Sequence, residues 1–271
     1  MRVLGIETSC DETAAAVVAD GHQVQANVVA SQIARHADYG GVIPELAARE
    51  HLKAIAPVVD GACAEAGCGV HELDALAVTC RPGLLPALLV GLSYAKGLAA
   101  AADLPLIGVD HFLAHAMGTF LEHPEALAES ARYPVLCLVV SGGHTALLLM
   151  RADGSGEIVG STIDDAAGEA FDKAARILHL PYPGGPVIDR LAKDGDPAAH
   201  AFPRGLCGEG GGRALKPENK YNFSFSGVKT ALLYHVKSPA DGGVDLDAPV
   251  ELDDGQLADL VAAYQEAVVH A

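Results

Sequence analysis

The chain has 271 residues, half of them hydrophobic and a fifth charged, which is typical of a globular protein with one large or two moderate domains. Its net charge of −17 repels polyanions and argues against a stand-alone nucleic-acid binder. The sequence has no uncharged apolar run long enough to span a bilayer and no signal peptide, so we expect a cytoplasmic protein without a membrane partner. Six scattered cysteines without a CxxC pair favour neither a disulfide framework nor a four-cysteine zinc site.

The N-terminal half alternates between strand and helix patterns. A meander of three strands comes first, and a long helix then begins at Pro44, a residue favoured in the first turn of a helix. A strand, an Ala/Leu-rich helix and a short strand follow, and the last of these leads into a helix with the sequence HFLAH. The predicted strands are 3–7, 14–19, 24–30, 73–79 and 106–109, and the long helices are 44–67 and 84–102.

The same kind of pattern restarts at Val135. Two strands are predicted on either side of a Gly-Gly turn, followed by a third strand and by a helix whose first acids, Asp164 and Asp165, we expect to be solvated caps. A surface loop is predicted over 204–222, a strand and helix over 223–237, and an amphipathic helix over 257–271. Because strands, helix and turn recur, we expect two α/β lobes with a cleft between them, residues 1–131 and 132–271.

Two histidines in HFLAH, His111 and His115, are four residues apart and therefore project from one face of the predicted helix. Neutral imidazole is a common ligand of zinc and iron, so the pair indicates half of a metal site. Phe112 occupies the position where HExxH metalloproteases have a glutamate, which disfavours a protease of that type. A pair of ordinary surface or core histidines remains the alternative.

The turn SGGHT, residues 141–145, can bring main-chain N–H groups close to an anionic ligand because its residues are small. A simple β-hairpin is the alternative, and it is compatible with ligand binding. Asp172 lies within the following helix and can accept hydrogen bonds from a ligand. The turn YPGGP precedes another helix, whose first N–H groups and Asp189 can face the same ligand.

These segments, in this order and along the whole chain, resemble the family of tRNA adenosine threonylcarbamoyltransferases. The motifs that carry the resemblance are GIETSCDET (5–13), SQIARHADYGGVIPELAAREH (31–51), HFLAH (111–115), VSGGHTALL (140–148), IDDAAGEAFDKAARIL (163–178), YPGGP (182–186) and FSFSGVKTA (223–231).

The resemblance implies an α/β fold of the two-lobed, actin-like ATPase (ASKHA) class. It implies transfer of a threonylcarbamoyl group from threonylcarbamoyl-AMP to N6 of the tRNA adenosine 3′ of the anticodon, with release of AMP. His111 and His115 would bind one divalent metal ion, iron in the first place and zinc as the alternative. The residues that would hold the adenylate are Val139, Val140, Ser141, Gly142, Gly143, Asp172, Gly185 and Asp189.

Members of the family continue beyond the end of this sequence, and a later Asp completes their metal site. We therefore expect an incomplete second lobe, a missing third protein ligand, weak metal binding and impaired activity. The implied partners are the tRNA anticodon loop, a paralogous dimerisation subunit and an associated ATPase. Candidate tRNA contacts in the 204–222 loop are Arg204, Arg213, Lys216 and Lys220.

Two alternative functions remain open at this point. A kinase or ATPase of the same fold would use Asp11 or Glu12 to orient Mg²⁺, but it would not need the histidine pair. A non-catalytic dimerising paralogue is the other alternative. Such paralogues typically lack both the paired histidines and the IDDAAGEAFDK segment that this chain has.

Overall fold

A computed structural model describes residues 1–129, 132–206, 217–237 and 250–271. The chain forms two compact units, one of residues 1–135 with 150–156 and the other of residues 136–149 with 157–271. Each unit has its own cluster of buried apolar side chains. The α/β class expected from the sequence is confirmed, whereas the division after residue 131 stays a prediction.

Unit 1 contains a five-stranded sheet with the order β3-β2-β1-β4-β5. The first three strands form an antiparallel meander, and β4 and β5 extend the sheet in parallel from β1. Every second residue of β2 is buried, as expected for a strand with one face on a core. The strands are β1 (Arg2–Glu7), β2 (Glu12–Ala19), β3 (Gln23–Ser31), β4 (Ala75–Arg81) and β5 (Leu106–Asp110), close to the predicted ranges.

Two long helices cover the sheet of unit 1. The second helix of the chain contacts β2 and β3, and the third contacts β4. Their apolar faces bury Ile55, Val59 and Ala95 against Leu4 and Leu76. The helices of this unit are α1 (Ile33–Ala37), α2 (Pro44–Glu65), α3 (Leu85–Ala102), α4 (His111–Gly118) and α5 (Pro124–Ala128).

In the part of the chain that the structure describes, α3 alone has the length and apolar composition to cross a membrane. Two features favour a core helix instead. Lys96 interrupts its apolar sequence, and Ala87, Leu88, Ala95 and Ala99 are buried within the unit.

Unit 2 has a three-stranded sheet with the order β6-β7-β8 and a helical core beside it. Tyr264 is completely buried in this core, and its hydroxyl donates to the carbonyl of Ala170 at 2.9 Å. The strand predicted at 223 is reduced to a single bridge between Thr162 and Phe223. The elements are β6 (Val135–Val140), β7 (Thr145–Met150), β8 (Gly156–Ser161), α6 (Ala167–Ile177), α7 (Gly184–Ala192), α8 (Ser226–Lys237) and α9 (Asp254–Val269).

Of the two acids before α6, Asp164 is exposed as expected, although it is hydrogen-bonded, whereas the expectation of a solvated cap was wrong for Asp165. Asp164 accepts hydrogen bonds from the hydroxyls of Ser224 and Ser226 at the start of α8. Asp165 is only 13% exposed and forms ion pairs with Lys173 of α6 and Lys229 of α8, both at 2.5 Å. Burial raises the pKa of Asp165, but the two lysines lower it more, so the net pKa shift is downward. The acids therefore connect α6 to α8.

We expect Asp165→Asn to lower the free energy of unfolding by about 2 kcal/mol, because two half-buried lysines lose their shared carboxylate. Urea unfolding followed by circular dichroism measures the change. Asp189→Asn is the matched control: its pair with Lys193 is more than half exposed and should contribute less than about 1 kcal/mol. Equal losses in the two variants would contradict a special role for Asp165.

Candidate active site

The turn between β1 and β2, residues 8–11, packs directly on the start of α3. The Leu84 N–H donates to the carbonyl of Ser9 at 2.8 Å, and the Thr8 hydroxyl donates to the carbonyl of Ala87 at 3.0 Å. A Cβ at Gly91 would lie 2.3 Å from Thr8 Oγ1, which is closer than atoms can approach. Glycine is therefore required where α3 meets this turn.

A chain of buried polar side chains supports the same turn from α1 and α2. His51 is completely buried; its Nε2 lies 3.0 Å from the Cys10 carbonyl and its Nδ1 lies 2.8 Å from Thr13 Oγ1. Gln32 links His51 to His36 at 3.3 and 3.2 Å. Burial lowers the pKa of His51, so its neutral form is favoured. His36 and His51 of the 31–51 motif therefore have a structural role in the support of the β1–β2 turn.

The predicted histidine pair converges on one point. Asp110 caps α4 by accepting from the N–H groups of Phe112 and Leu113, which fixes the helix start at His111. The Nε2 atoms of His111 and His115 are 3.1 Å apart, and the rings are nearly perpendicular at 88°. Burial and the neighbouring His111 lower the pKa of His115, which favours the neutral imidazole that a metal requires.

Glu7, at the end of β1, was not singled out by the sequence patterns, yet it contacts His111. Its Oε2 is 3.2 Å from Nδ1 of His111 and accepts from the Thr79 hydroxyl at 2.5 Å, while Oε1 accepts from the Ser9 N–H. Burial raises the pKa of Glu7, but hydrogen bonds from His111, Ser9 and Thr79 outweigh it and lower the pKa to about 2. A carboxylate thus lies behind the ring of His111.

The histidine geometry fits a metal ion. Two nitrogen ligands bound at about 2.05 Å in a tetrahedral shell are about 3.3 Å apart, close to the observed separation of 3.1 Å. Among the described residues, no group of three or more His, Cys, Asp or Glu side chains suits a metal ion. The separation of the two nitrogens is therefore compatible with two ligands of such a site, and equally with a hydrogen bond between the rings.

Cys10 lies in the turn beside Glu7 but is unsuited to act as a nucleophile. Burial and the negative charge of Asp11 raise the pKa of its thiol to about 12. Because the thiolate is the reactive form, the site has no activated cysteine at this position.

In unit 2, the turn SGGHT connects β6 to β7 as predicted, but it is not a hairpin with left-handed glycines. Neither Gly142 nor Gly143 has a positive φ. Instead, a Cβ at Gly168 of α6 would lie 2.6 Å from the Gly142 Cα and 2.7 Å from the Ser141 carbonyl. Within the described residues, the N–H groups of Gly142 and Gly143 donate to no protein acceptor, so they are available to an anion.

Further predicted ligand residues lie along the adjoining helices of unit 2. Asp172, one turn after Gly168 on α6, accepts from the Gly184 N–H at 2.7 Å and so fixes the start of α7 beside Gly185. Asp189 is more exposed and pairs with Lys193. The SGGHT turn therefore contacts the start of α6 at Gly168, and Asp172 of the same helix contacts the start of α7 next to Gly185. Asp189 lies one turn further along α7.

The two valines before the turn differ in environment. Val139 is buried with 8% exposure, whereas Val140 is 54% exposed on the opposite face of β6. Alternation along a strand causes this difference.

The candidate tRNA contacts are only partly described by the structure. The Lys220 ammonium lies 5.1 Å from the ring centroid of Tyr221, and Arg204 lies in the described part of the loop. Arg213 and Lys216 fall outside the described residues.

Comparison with known sequences gives a consistent result. A family model described as TsaD, tRNA N6-adenosine threonylcarbamoyltransferase, matches residues 23–271. A protein of that name from Geobacter sp. strain M21 is 50% identical over 99% of this chain and 71% of its own length. One from Anaeromyxobacter dehalogenans strain 2CP-C is 52% identical over 100% of this chain and 74% of its own length.

Similarity to solved structures is much weaker. The (R)-2-hydroxyglutaryl-CoA dehydratase component A of Acidaminococcus fermentans matches with a TM-score of 0.48 and 13% identity, covering 99% of this chain and 74% of that one. A similarity of this size carries no argument about function.

We expect Gly168→Ala to lower the free energy of unfolding by about 1–3 kcal/mol, because the added methyl group would overlap the backbone of the turn. The amide resonances of Gly142 and Gly143 should shift at the same time. Gly227→Ala is the matched control, since its methyl group would meet nothing within 4 Å and should stabilise α8 by roughly 0.5–1 kcal/mol. Similar stability of the two variants would show that the close contact is unimportant.

Proposed function

Because the chain belongs to the TsaD family of tRNA N6-adenosine threonylcarbamoyltransferases, we propose that His111 and His115 hold a metal and that the SGGHT turn holds the adenylate of the acyl donor. The chain is a transferase that moves a threonylcarbamoyl group to N6 of a tRNA adenosine. We propose that its α/β fold is of the actin-like (ASKHA) class, as the family resemblance implies. The observation that carries this conclusion is 50% and 52% identity to the relatives from Geobacter and Anaeromyxobacter over 99% and 100% of this chain.

The donor in this proposal is threonylcarbamoyl-AMP, and the acceptor is the adenosine 3′ of the anticodon. N6 attacks the carbamoyl carbon, the bond from that carbon to the phosphate oxygen breaks, AMP leaves, and N6 loses a proton. An exocyclic adenine amine is a weak nucleophile, so the protein mainly has to position the reactants and stabilise charge. The N–H groups of Gly142 and Gly143 would bind the phosphate, with Asp172, Gly185 and Asp189 as further contacts to the adenylate.

The metal in this proposal is one divalent ion, iron in the first place and zinc as the alternative. The separation of the two Nε2 atoms, 3.1 Å, supports the assignment of His111 and His115 as ligands. When bound, the ion would supply Lewis acidity toward an oxygen of the donor. The side chains of this chain would hold the ion and keep both rings in place.

We further propose that the protein acts in the cytoplasm with a paralogous dimerisation subunit and an associated ATPase, as the family resemblance implies. The net charge of −17 supports a contribution of such partners to tRNA capture, because the chain by itself repels a polyanion at long range. The anticodon loop is a suitable substrate, since single-stranded loops can present an unstacked base.

Arg204 and Lys220 are the described candidates for direct contact with tRNA. Tyr221, next to Lys220, is 53% exposed and offers a ring on which a base can stack. Lys220→Glu should weaken tRNA binding and reduce the dependence of log K on log salt by about one unit. Lys53→Glu on unit 1 is the control for net charge. Filter binding at several salt concentrations measures both, and identical slopes would exclude Lys220.

The proposed function is tested by transfer of labelled threonylcarbamoyl from its adenylate to unmodified tRNA. His111→Ala should slow the transfer by roughly 100-fold, because a metal ligand is lost. His123→Ala, with its exposed side chain, should not change it. Undiminished transfer by His111→Ala would remove the metal from the proposal, and ATP hydrolysis without transfer would favour the kinase alternative.

A further inference from the structure

We propose that Glu7 is a positioning residue that selects the metal-binding tautomer of His111. The proposal rests on the proposed function in which His111 and His115 hold the metal. Glu7 itself would not touch the ion, because the ring of His111 lies between the carboxylate and Nε2.

The first step is that the carboxylate of Glu7 is fixed. It stands at the end of β1, in the middle of the sheet of unit 1. Thr79 of the neighbouring β4 donates to Oε2 at 2.5 Å, and the Ser9 N–H donates to Oε1. The side chain is thus held by two donors that belong to rigid parts of the unit, in addition to His111. It cannot rotate away from the ring without breaking these hydrogen bonds.

The second step concerns the proton on the ring. A neutral imidazole carries one N–H, on either Nδ1 or Nε2. Nδ1 of His111 lies 3.2 Å from an oxygen of Glu7, and a carboxylate can only accept. The proton is therefore placed on Nδ1, and Nε2 keeps its lone pair. Ser9 Oγ, 3.3 Å from the same Nδ1, can adapt by rotating its hydroxyl.

The third step is the direction of that lone pair. Nε2 of His111 lies 3.1 Å from Nε2 of His115, so the lone pair is directed at the point where the two imidazoles converge. In the other tautomer, a proton on Nε2 would occupy this point and block a metal ion. A carboxylate behind a ligating histidine also increases the basicity of the ring. Glu7 therefore contributes to metal affinity from a position behind the ligand.

The matched substitution is Glu7→Gln, which preserves size and one acceptor oxygen. Its amide can direct an N–H at Nδ1 of His111 and so favour the tautomer with the proton on Nε2. We expect the Kd for Zn²⁺, measured by calorimetry on the 271-residue chain, to rise about 10- to 100-fold. Thr79→Val, which removes one of the two hydrogen bonds that fix Glu7 but leaves the carboxylate and the Ser9 N–H donor, should raise the Kd by less than Glu7→Gln does.

A spectroscopic readout separates positioning from structural support. ¹⁵N spectra of the histidine rings without metal, at about pH 8, report which nitrogen carries the proton. The wild-type His111, assigned by comparison with His111→Ala, should be protonated on Nδ1, and in Glu7→Gln this pattern should be lost. Thr79→Val should retain it even if its thermal stability falls.

The outcomes distinguish this inference from the proposed function. If His111→Ala binds Zn²⁺ as tightly as the wild type, the histidine pair is not the metal site. If His111→Ala loses Zn²⁺ but Glu7→Gln binds it like the wild type, the role of Glu7 is overturned while the metal pair stands. Should Glu7→Gln not fold, a wild-type His111 protonated on Nε2 would by itself overturn the proposal.

Discussion

The position of the β1–β2 turn is the constraint on which the histidine pair depends. The start of α3 holds this turn from one side through the Leu84 N–H and the close contact at Gly91. The buried network around His51 holds it from the other side. Glu7 leads into the turn, so its carboxylate is fixed relative to α4 before any ligand arrives. Such preorganisation reduces the entropy lost when a metal or substrate binds.

Unit 2 holds its own turn by a related device, a close approach of backbone segments at glycine. Gly168 lets the start of α6 touch the turn at Gly142, and Gly184 lets α7 approach Asp172. Asp164 and Asp165 then secure α8 against the same helix. The N–H groups of Gly142 and Gly143 therefore lie on a backbone that is closely supported by α6, as an anion-binding turn requires.

The strands and long helices could be predicted from the sequence, because the alternating burial of β2 and the long Ala/Leu-rich run of α3 are both set by neighbouring residues. The convergence of His111 and His115 was equally local, since four residues separate them on one helix. The partners of Glu7 were not predictable, because Thr79 and His111 are 72 and 104 residues away along the chain. The ion pair that buries Asp165 was not predictable for the same reason, because Lys229 is 64 residues away along the chain.

The buried network that supports the β1–β2 turn also makes the turn sensitive to acid. Folding keeps His51 neutral by lowering its pKa below the ordinary value of 6.5, whereas the unfolded chain protonates this ring freely. Protons therefore bind more strongly to the unfolded state. The stability that the neutral ring contributes is complete above about pH 6.5 and is lost as the pH falls below that value. Mild acidification should accordingly loosen the support of Glu7 and the histidine pair while the apolar core of unit 1 persists.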